Sequence, residues 1–295
     1  MKLSVSMIVK NESSCVEKAL ESVKDTDEII IIDTGSTDNT VELCKKYTDK
    51  VYSGEEYNWR DDFAFSRNQS LEKCTGDWVF IIDADEVLEK GGLDKLRKII
   101  KEHPNEKGIT VQAWNNQGHY FNVIRAFKRT PEVKWFGRVH NYLNVYDYEG
   151  YPSDIKFVFS TSLAHLQDPD RQIRILQLCI RENPKVGREK YYLGCEYYGR
   201  NEYHLAIYYL EWYIETSTFP AEMEDAIMTL SYAYYNVGNY KKSEECCLRA
   251  IAMNPNFKEA LKFMETSHSG PEGRKRWAMF RKTANNDGVF IVREL

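Results

Sequence analysis

Two acidic side chains stand two residues apart directly after an apolar run of the sequence. The run is Trp78–Ile82, and Asp83 and Asp85 follow it with Ala84 between them. Hard divalent cations take oxygen ligands, and Mg²⁺ usually binds through one or two carboxylates together with substrate phosphates. The spacing therefore indicates a site at which Mg²⁺ or Mn²⁺ would neutralise a diphosphate. A solvated acidic turn would show the same residues, so the surrounding elements decide between the two interpretations.

A second polar segment, Asp33–Thr40, has residue types that suit a tight turn and the start of a helix. Gly35 permits the turn, and each residue of Ser36–Asp38 can cap the helix that follows. The N-terminus of a helix favours anionic groups. The segment is therefore a candidate nucleotide contact, although an ordinary capped turn would have the same composition.

Strand and helix patterns alternate from the start of the chain to Glu86. The strand-like runs are Leu3–Val9, Glu28–Asp33, Lys50–Tyr52 and Trp78–Ile82. The segments with helical spacing between them are Cys15–Val23, Thr40–Tyr47 and Phe63–Lys73. This rhythm predicts a mainly parallel sheet, in which ligands bind at the carboxyl ends of the strands. Three polar sets follow strand ends, and we expect them to converge on one edge: Lys10–Glu12, Asp33–Asp38 and Asp83–Asp85.

The pattern changes twice in the rest of the chain. Short aromatic and β-branched runs between Gly108 and Ala164 predict antiparallel strands and loops that close over the sheet edge. From Asp170 onward the apolar spacing is helical. We therefore expect an α/β domain over residues 1–168 and a helical domain over residues 169–295.

The helical part contains an internal repeat. Its first copy has Leu193-Gly194, Tyr197, Ala206 and Leu210, and its second has Leu230-Ser231, Tyr234, Ser243 and Cys247. These helix pairs resemble tetratricopeptide repeats. Two copies are fewer than a solenoid needs alone, so flanking helices must cap them.

Composition limits the classes of protein that the chain can represent. It has 295 residues, 42% of them hydrophobic, and a formal net charge of -5. The charge argues against a generally basic surface for nucleic acid or anionic lipid, although a local basic patch for nucleic acid is not excluded. No signal peptide or membrane span is expected, and seven scattered cysteines favour reduced thiols in a cytoplasmic protein.

Four segments in order resemble family 2 glycosyltransferases of the GT-A fold. They are Ser6–Glu12, Asp27–Thr40, Trp59–Asn68 and Gly76–Glu86. Within that family the chain is similar to bacterial transferases related to lipopolysaccharide β-1,4-glucosyltransferases and to S-glycosyltransferases that modify bacteriocin peptides. The resemblance implies a Rossmann-like, nucleotide-sugar-binding α/β domain followed by an all-α, tetratricopeptide-like segment.

The resemblance also implies a donor and the residues that hold it. The donor would be a uridine diphosphate sugar, carrying glucose or a related hexose, bound with Mn²⁺ or Mg²⁺. Asp85 would be the main metal ligand, and Asp83 would contact ribose, the metal or a metal-bound water. His165 would complete the metal site, or would be a capping or interdomain histidine instead. The remaining donor contacts would be Val9, Asn11, Asp33, Thr34, Arg67, Ala84 and Arg125.

The expected catalytic carboxylate of the family is replaced in this sequence. Gly137–His140 resembles a Gly-x-Val-His-Glu element, but Asn141 stands where Glu usually follows. Asparagine cannot act as a general base near neutral pH. The first candidate for the base of an inverting transfer is therefore His140, with Asp147 and Glu149 as weaker alternatives.

The sequence says less about the acceptor than about the donor. Helical repeats commonly bind polypeptide, which slightly favours a peptide or protein acceptor over a lipid-linked glycan or a modified nucleic-acid base. A homodimer through the helical segment is a further possibility, because adjacent aromatic residues on a helix cannot all face inward. The alternative from another class is a decayed, non-catalytic scaffold, which Asn141 favours and the intact Asp83–Asp85 opposes.

Overall fold

A computed structural model describes residues 1–114, 120–144, 150–159, 166–185, 187–217 and 220–286. The chain divides into two compact units, Met1–Gln172 and Ile173–Leu295.

The first unit is built on a mixed sheet, which has eight strands within the described residues. Its strands, in chain order, are β1 (Leu3–Val9), β2 (Glu28–Asp33), β3 (Val51–Tyr52), β4 (Trp78–Ile81), β5 (Glu86–Leu88), β6 (Gly108–Trp114), β7 (Tyr120–Lys128) and β10 (Tyr151–Phe159). Across the sheet the order is β3-β2-β1-β4-β7-β6-β10-β5. A separate ribbon pairs β8 (Trp135–Phe136) with β9 (Tyr142–Leu143).

The parallel strands form the buried centre of this unit. β1 lies between β2 and β4 and runs parallel to both. Strands covered on two faces need apolar residues at successive positions, as Glu28–Asp33 shows with four consecutive isoleucines. Helices α1 (Val16–Val23), α2 (Thr40–Cys44), α3 (Phe63–Lys73) and α4 (Gly92–Glu102) complete the unit. Residues of α1 and α3 pack into two different apolar clusters of the sheet, as alternating strand side chains require.

The later strands differ from the sequence-based expectation. β7 and β6 do not close over the sheet edge but extend the same sheet, with β7 antiparallel to both β4 and β6. β10 then runs parallel to β6 and antiparallel to β5. The expectation of antiparallel pairing throughout was wrong for β10, because the chain between β6 and β10 is long enough for the crossover connection that a parallel pair requires.

The second unit is helical throughout its described residues. From Arg171 onward the helices are α5 (Arg171–Glu182), α6 (Arg188–Gly199), α7 (Tyr203–Thr216), α8 (Pro220–Asn236), α9 (Tyr240–Met253), α10 (Lys258–Ser267) and α11 (Pro271–Thr283). α6 packs on α7 and α8 packs on α9, as the repeat pattern predicts. Among the described residues, no helix is both long and apolar enough to cross a membrane.

Close packing within the first helix pair depends on a glycine. A Cβ atom added to Gly194 of α6 would lie 2.6 Å from Cγ of Leu210 on α7. Leu210 is fully buried, so its side chain has no room to move away. In the second pair, Ser231 and Ser243 approach closely instead, and the Ser231 hydroxyl donates to the Ser243 carbonyl at 2.6 Å. Both pairs therefore have a small residue, Gly194 or Ser231, at the same position of the repeat, where it lies against the second helix of the pair.

This packing generates a stability prediction. Gly194→Ala should overpack the α6–α7 contact, which typically costs about 1–3 kcal/mol. Gly199→Ala on the same helix is the matched control, since an added Cβ there meets nothing within 4 Å. Urea unfolding of both variants, followed by circular dichroism, measures the difference. Equal stability of the two variants would contradict the packing argument.

Candidate functional site

A cavity of about 220 Å³ opens where β1, β2 and β4 end. The first group of lining residues comes from these strand ends: Ile8–Glu12, Thr34 and Asp83–Asp85. The second group comes from α3, the loop before it and the start of α5: Trp59, Phe63, Arg67, Gln167, Asp168 and Arg171. The three polar sets that follow strand ends in the sequence therefore do meet at one edge.

Asn11 ties the first two strand ends together. Its φ angle is 56°, in the left-handed region, which asparagine tolerates better than most residues. The backbone N–H of Asn11 donates to the Ser36 hydroxyl at 2.9 Å, and its Oδ1 accepts from the Thr37 N–H at 2.7 Å. These two hydrogen bonds hold the loop after β1 against the loop after β2.

Asp33 and Thr34 have different surroundings although they are adjacent. The Asp33 carboxylate accepts from the backbone N–H groups of Gly35 and Ser36 at 3.2–3.3 Å, and Asp33 does not line the cavity. Thr34 does line it, and its hydroxyl donates to the Val9 carbonyl at 3.1 Å. Asp33 therefore shapes the turn in this structure, and Thr34 faces the cavity.

Two arginines neutralise the acidic segment after β4. Arg67 on α3 donates to both oxygens of Asp83, at 2.8 and 3.1 Å. Arg125 on β7 donates to Asp83 at 3.5 Å and to Glu86 at 2.5 Å. Glu86 also accepts the backbone N–H of Asp83 at 2.8 Å. These contacts form a charged cluster of four side chains, Arg67, Asp83, Glu86 and Arg125.

The pKa values of the two carboxyl groups in this cluster shift in opposite directions. Burial alone would raise the pKa of Asp83, but Arg67 and Arg125 hold that pKa below its usual value. Burial raises the pKa of Glu86 to about 7, against the lowering effect of Arg125. Asp83 is therefore the securely ionised member of the pair.

Negative charge concentrates where Asp85 and Glu12 line the cavity. The pKa of the nearby Cys15 thiol is raised to about 12 by burial and by the charges of Glu12 and Asp85. Within the described ranges, no three His, Cys, Asp or Glu side chains are grouped to hold a metal. A hard cation bound with substrate phosphates needs only one or two carboxylates, which the cavity provides. The Asp83 oxygens accept from the guanidinium groups of Arg67 and Arg125, so Asp83 would have to exchange these bonds to coordinate a cation.

The structure adds cavity residues that the motifs did not single out. Trp59 and Phe63 pack edge to face at 4.6 Å, and the Arg171 guanidinium lies 5.3 Å above the Phe63 ring. Trp59 and Phe63 fall in a segment that carried the family resemblance, so the sequence held a signal for them. Arg171, Gln167 and Asp168 stand in no motif.

Other expected site residues lie away from the cavity or outside the described residues. Arg125 and His140 do not line it. His140 has a left-handed φ of 47°, and two residues before it the Arg138 carbonyl accepts the Phe63 N–H at 2.8 Å. This bond holds the Gly137–His140 segment against a cavity residue. His165, Asp147 and Glu149 fall outside the described residues.

Comparison with known proteins assigns the first unit to a family. The model of "Glycosyl transferase family 2" matches residues 4–152. The chain belongs to this family. Glycosyltransferase SunS of Bacillus subtilis is 33% identical over 47% of this chain and 34% of its own length. The TPR repeat-containing protein Synpcc7942_0270 of Synechococcus elongatus is 34% identical over 45% of this chain and 33% of its own. The chain thus matches about a third of each relative's length.

The fold is also found among solved structures. The crystal structure of S. aureus TarS 1-349 superposes with a TM-score of 0.50 and 14% identity, covering 84% of this chain and 92% of TarS 1-349. At this identity the likeness concerns the fold alone. The sequence-based fold class, a GT-A domain followed by helices, is confirmed.

Proposed function

We propose that the protein is a metal-dependent, inverting glycosyltransferase that moves a hexose, glucose or a related sugar, from a uridine diphosphate donor to an acceptor. The observation that carries the proposal is the cavity at the strand ends of a family 2 domain. It combines the carboxylate of Asp85, the cations Lys10, Arg67 and Arg171, and the aromatic wall of Trp59 and Phe63. A nucleoside diphosphate sugar needs all three kinds of contact.

Donor binding would divide between the two sides of the cavity. Val9, Asn11 and Thr34 offer backbone and side-chain polar atoms that suit uracil and ribose, beside Ala84, which is small and buried. Arg67 and Arg171 suit the diphosphate, because a guanidinium group donates paired hydrogen bonds to phosphate oxygens. Asp85 would hold Mn²⁺ or Mg²⁺, which supplies charge neutralisation for the diphosphate leaving group.

The transfer step needs a base on the acceptor side of the sugar. We propose that His140 accepts the proton of the acceptor nucleophile as the nucleophile attacks the anomeric carbon. The bond from that carbon to the diphosphate oxygen breaks on the opposite face, which inverts the configuration. Imidazole is a common general base in enzymes that work near neutral pH.

For the acceptor we propose a peptide or protein, bound with the help of the helical unit as a tetratricopeptide-like domain. All donor-side residues named above precede Ile173, so this unit is available for acceptor binding or for dimerisation. Labelled donor offered to panels of peptides, glycans and nucleosides would identify the acceptor class. Transfer to none of them, combined with absent donor hydrolysis, would favour the scaffold alternative that Asn141 suggests.

The first prediction concerns the metal. Asp85→Asn should abolish the Mn²⁺-dependent part of uridine diphosphate binding and transfer, because a site built on one or two carboxylates and substrate phosphates loses the charge that holds the cation. Calorimetric titration with and without Mn²⁺ measures the binding part directly. Asp94→Asn, which changes an exposed acid in the first turn of α4, should behave as wild type. Retained Mn²⁺ dependence in folded Asp85→Asn protein would rule out the assignment.

The second prediction concerns the diphosphate. Arg171→Ala should weaken uridine diphosphate binding about tenfold or more, since a hydrogen bond to a charged group contributes about 1.5–3 kcal/mol. Uridine, which has no phosphate, should bind the variant as it binds wild type. Arg174→Ala, an exposed arginine on the same helix, is the matched control. Equal effects on uridine and its diphosphate would contradict a phosphate contact.

The third prediction concerns the base. His140→Ala should lower kcat about 10²- to 10⁴-fold, the usual contribution of a positioned base, and leave uridine diphosphate affinity unchanged. Kinetics with the acceptor identified above and calorimetry with the nucleotide separate the two effects. A parallel loss of metal and nucleotide binding would make His140 a ligand instead. Undiminished kcat in the folded variant would exclude it as the base.

A further inference from the structure

We infer that Arg125 is a positioning residue, which holds the turn carrying Asp85 through contacts to Asp83 and Glu86, and that it does not contact the donor. The inference rests on the proposed function where it concerns metal binding. It replaces the sequence-based expectation that Arg125 is a nucleotide contact.

The location of Arg125 separates it from the ligand. Its side chain is 14% exposed, and the residue is absent from the cavity lining. β7 is the antiparallel neighbour of β4, so the strand brings Arg125 alongside the end of β4. The guanidinium lies 4.8 Å above the ring of Phe157 from β10. Arg125 is therefore packed behind the acidic turn, within the sheet.

The hydrogen bonds of Arg125 link two residues on either side of Asp85 in the chain. One guanidinium nitrogen donates to Asp83 and the other to Glu86. Glu86 returns to Asp83 by accepting its backbone N–H, and the Glu86 N–H donates to the Asp83 carbonyl at 3.1 Å. Asp85 lies in the chain between these two anchored residues. Fixing both neighbours restricts the directions that the Asp85 side chain can take.

Charge balance explains why an arginine is needed behind the turn. Glu86 has a side chain that is 6% exposed, and its carboxylate would otherwise lie close to that of Asp83. Arg67, which lines the cavity, forms an ion pair with Asp83. Among the described residues, Glu86 forms an ion pair only with Arg125. A buried charge that loses its partner is strongly destabilised. Without Arg125 the turn loses the guanidinium group that links the Glu86 carboxyl to the Asp83 carboxyl.

The test compares Arg125→Met with Arg129→Met. Arg129 directly follows the same strand, and its side chain donates to the Gly76 carbonyl. Arg125→Met should weaken the apparent Mn²⁺ affinity, measured with uridine diphosphate, about 10- to 100-fold, as loss of a group that orients a ligand does. Nucleotide affinity without metal should not change. Arg129→Met should alter neither quantity. A loss of nucleotide affinity without metal would make Arg125 a direct phosphate ligand and overturn the inference.

A second measurement needs no ligand. Amide hydrogen exchange of the segment from Asp83 to Leu88 should accelerate in Arg125→Met and stay at the wild-type rate in Arg129→Met. The double variant Glu86→Gln/Arg125→Met removes the stranded carboxylate as well, and its exchange should return toward wild type. Unchanged exchange in Arg125→Met would overturn the inference even if nucleotide binding is as proposed. Accelerated exchange in a protein that binds no uridine diphosphate would retain the positioning role and reject the proposed function.

Discussion

The first unit depends on the neutralisation of two carboxylates at the end of β4 by Arg67 and Arg125. Glu86 is nearly buried and Asp83 is partly buried, and a buried charge without a partner is unfavourable. The guanidinium groups arrive from α3 and from β7, on either side of the acidic turn. Asp85, which lines the cavity, therefore lies in a turn whose flanking carboxylates, Asp83 and Glu86, are both bound by guanidinium groups.

The local elements of the first unit were predictable from sequence because their patterns are short-range. β1, β2 and α3 have the expected bounds, while α2 ends at Cys44 rather than Tyr47. Two elements between Glu86 and Glu102 were missed. β5 is only three residues long, and α4 begins at the second of two adjacent glycines, a pair that suggests a turn. The direction of β10 depends on which strand it joins, and no local pattern contains that information.

In the candidate site, the residue types could be predicted from the sequence, but the partners that they contact could not. The motif around Asp83 identified the chemistry. Its place in the fold followed from the tendency of ligands to bind at the carboxyl ends of parallel strands. The pairing of Asp83 with Arg67 and of Glu86 with Arg125 joins residues that are 16 and 39 positions apart, which spacing alone cannot reveal. The role of Asp33 was likewise hidden, since only the folded turn shows its carboxylate bound by the N–H groups of Gly35 and Ser36.

The topology around β5 has a consequence for the order in which this domain can be made. β5 is the edge strand of the sheet, and its neighbour β10 is translated long after it. Phe159 near the end of β10 pairs with Glu86 at the start of β5. Such non-local pairing closes a long loop and is slow compared with helix formation. A nascent chain that has emerged only as far as β7 therefore contains both arginines that bind the acidic turn but lacks β10, the strand that pairs with β5.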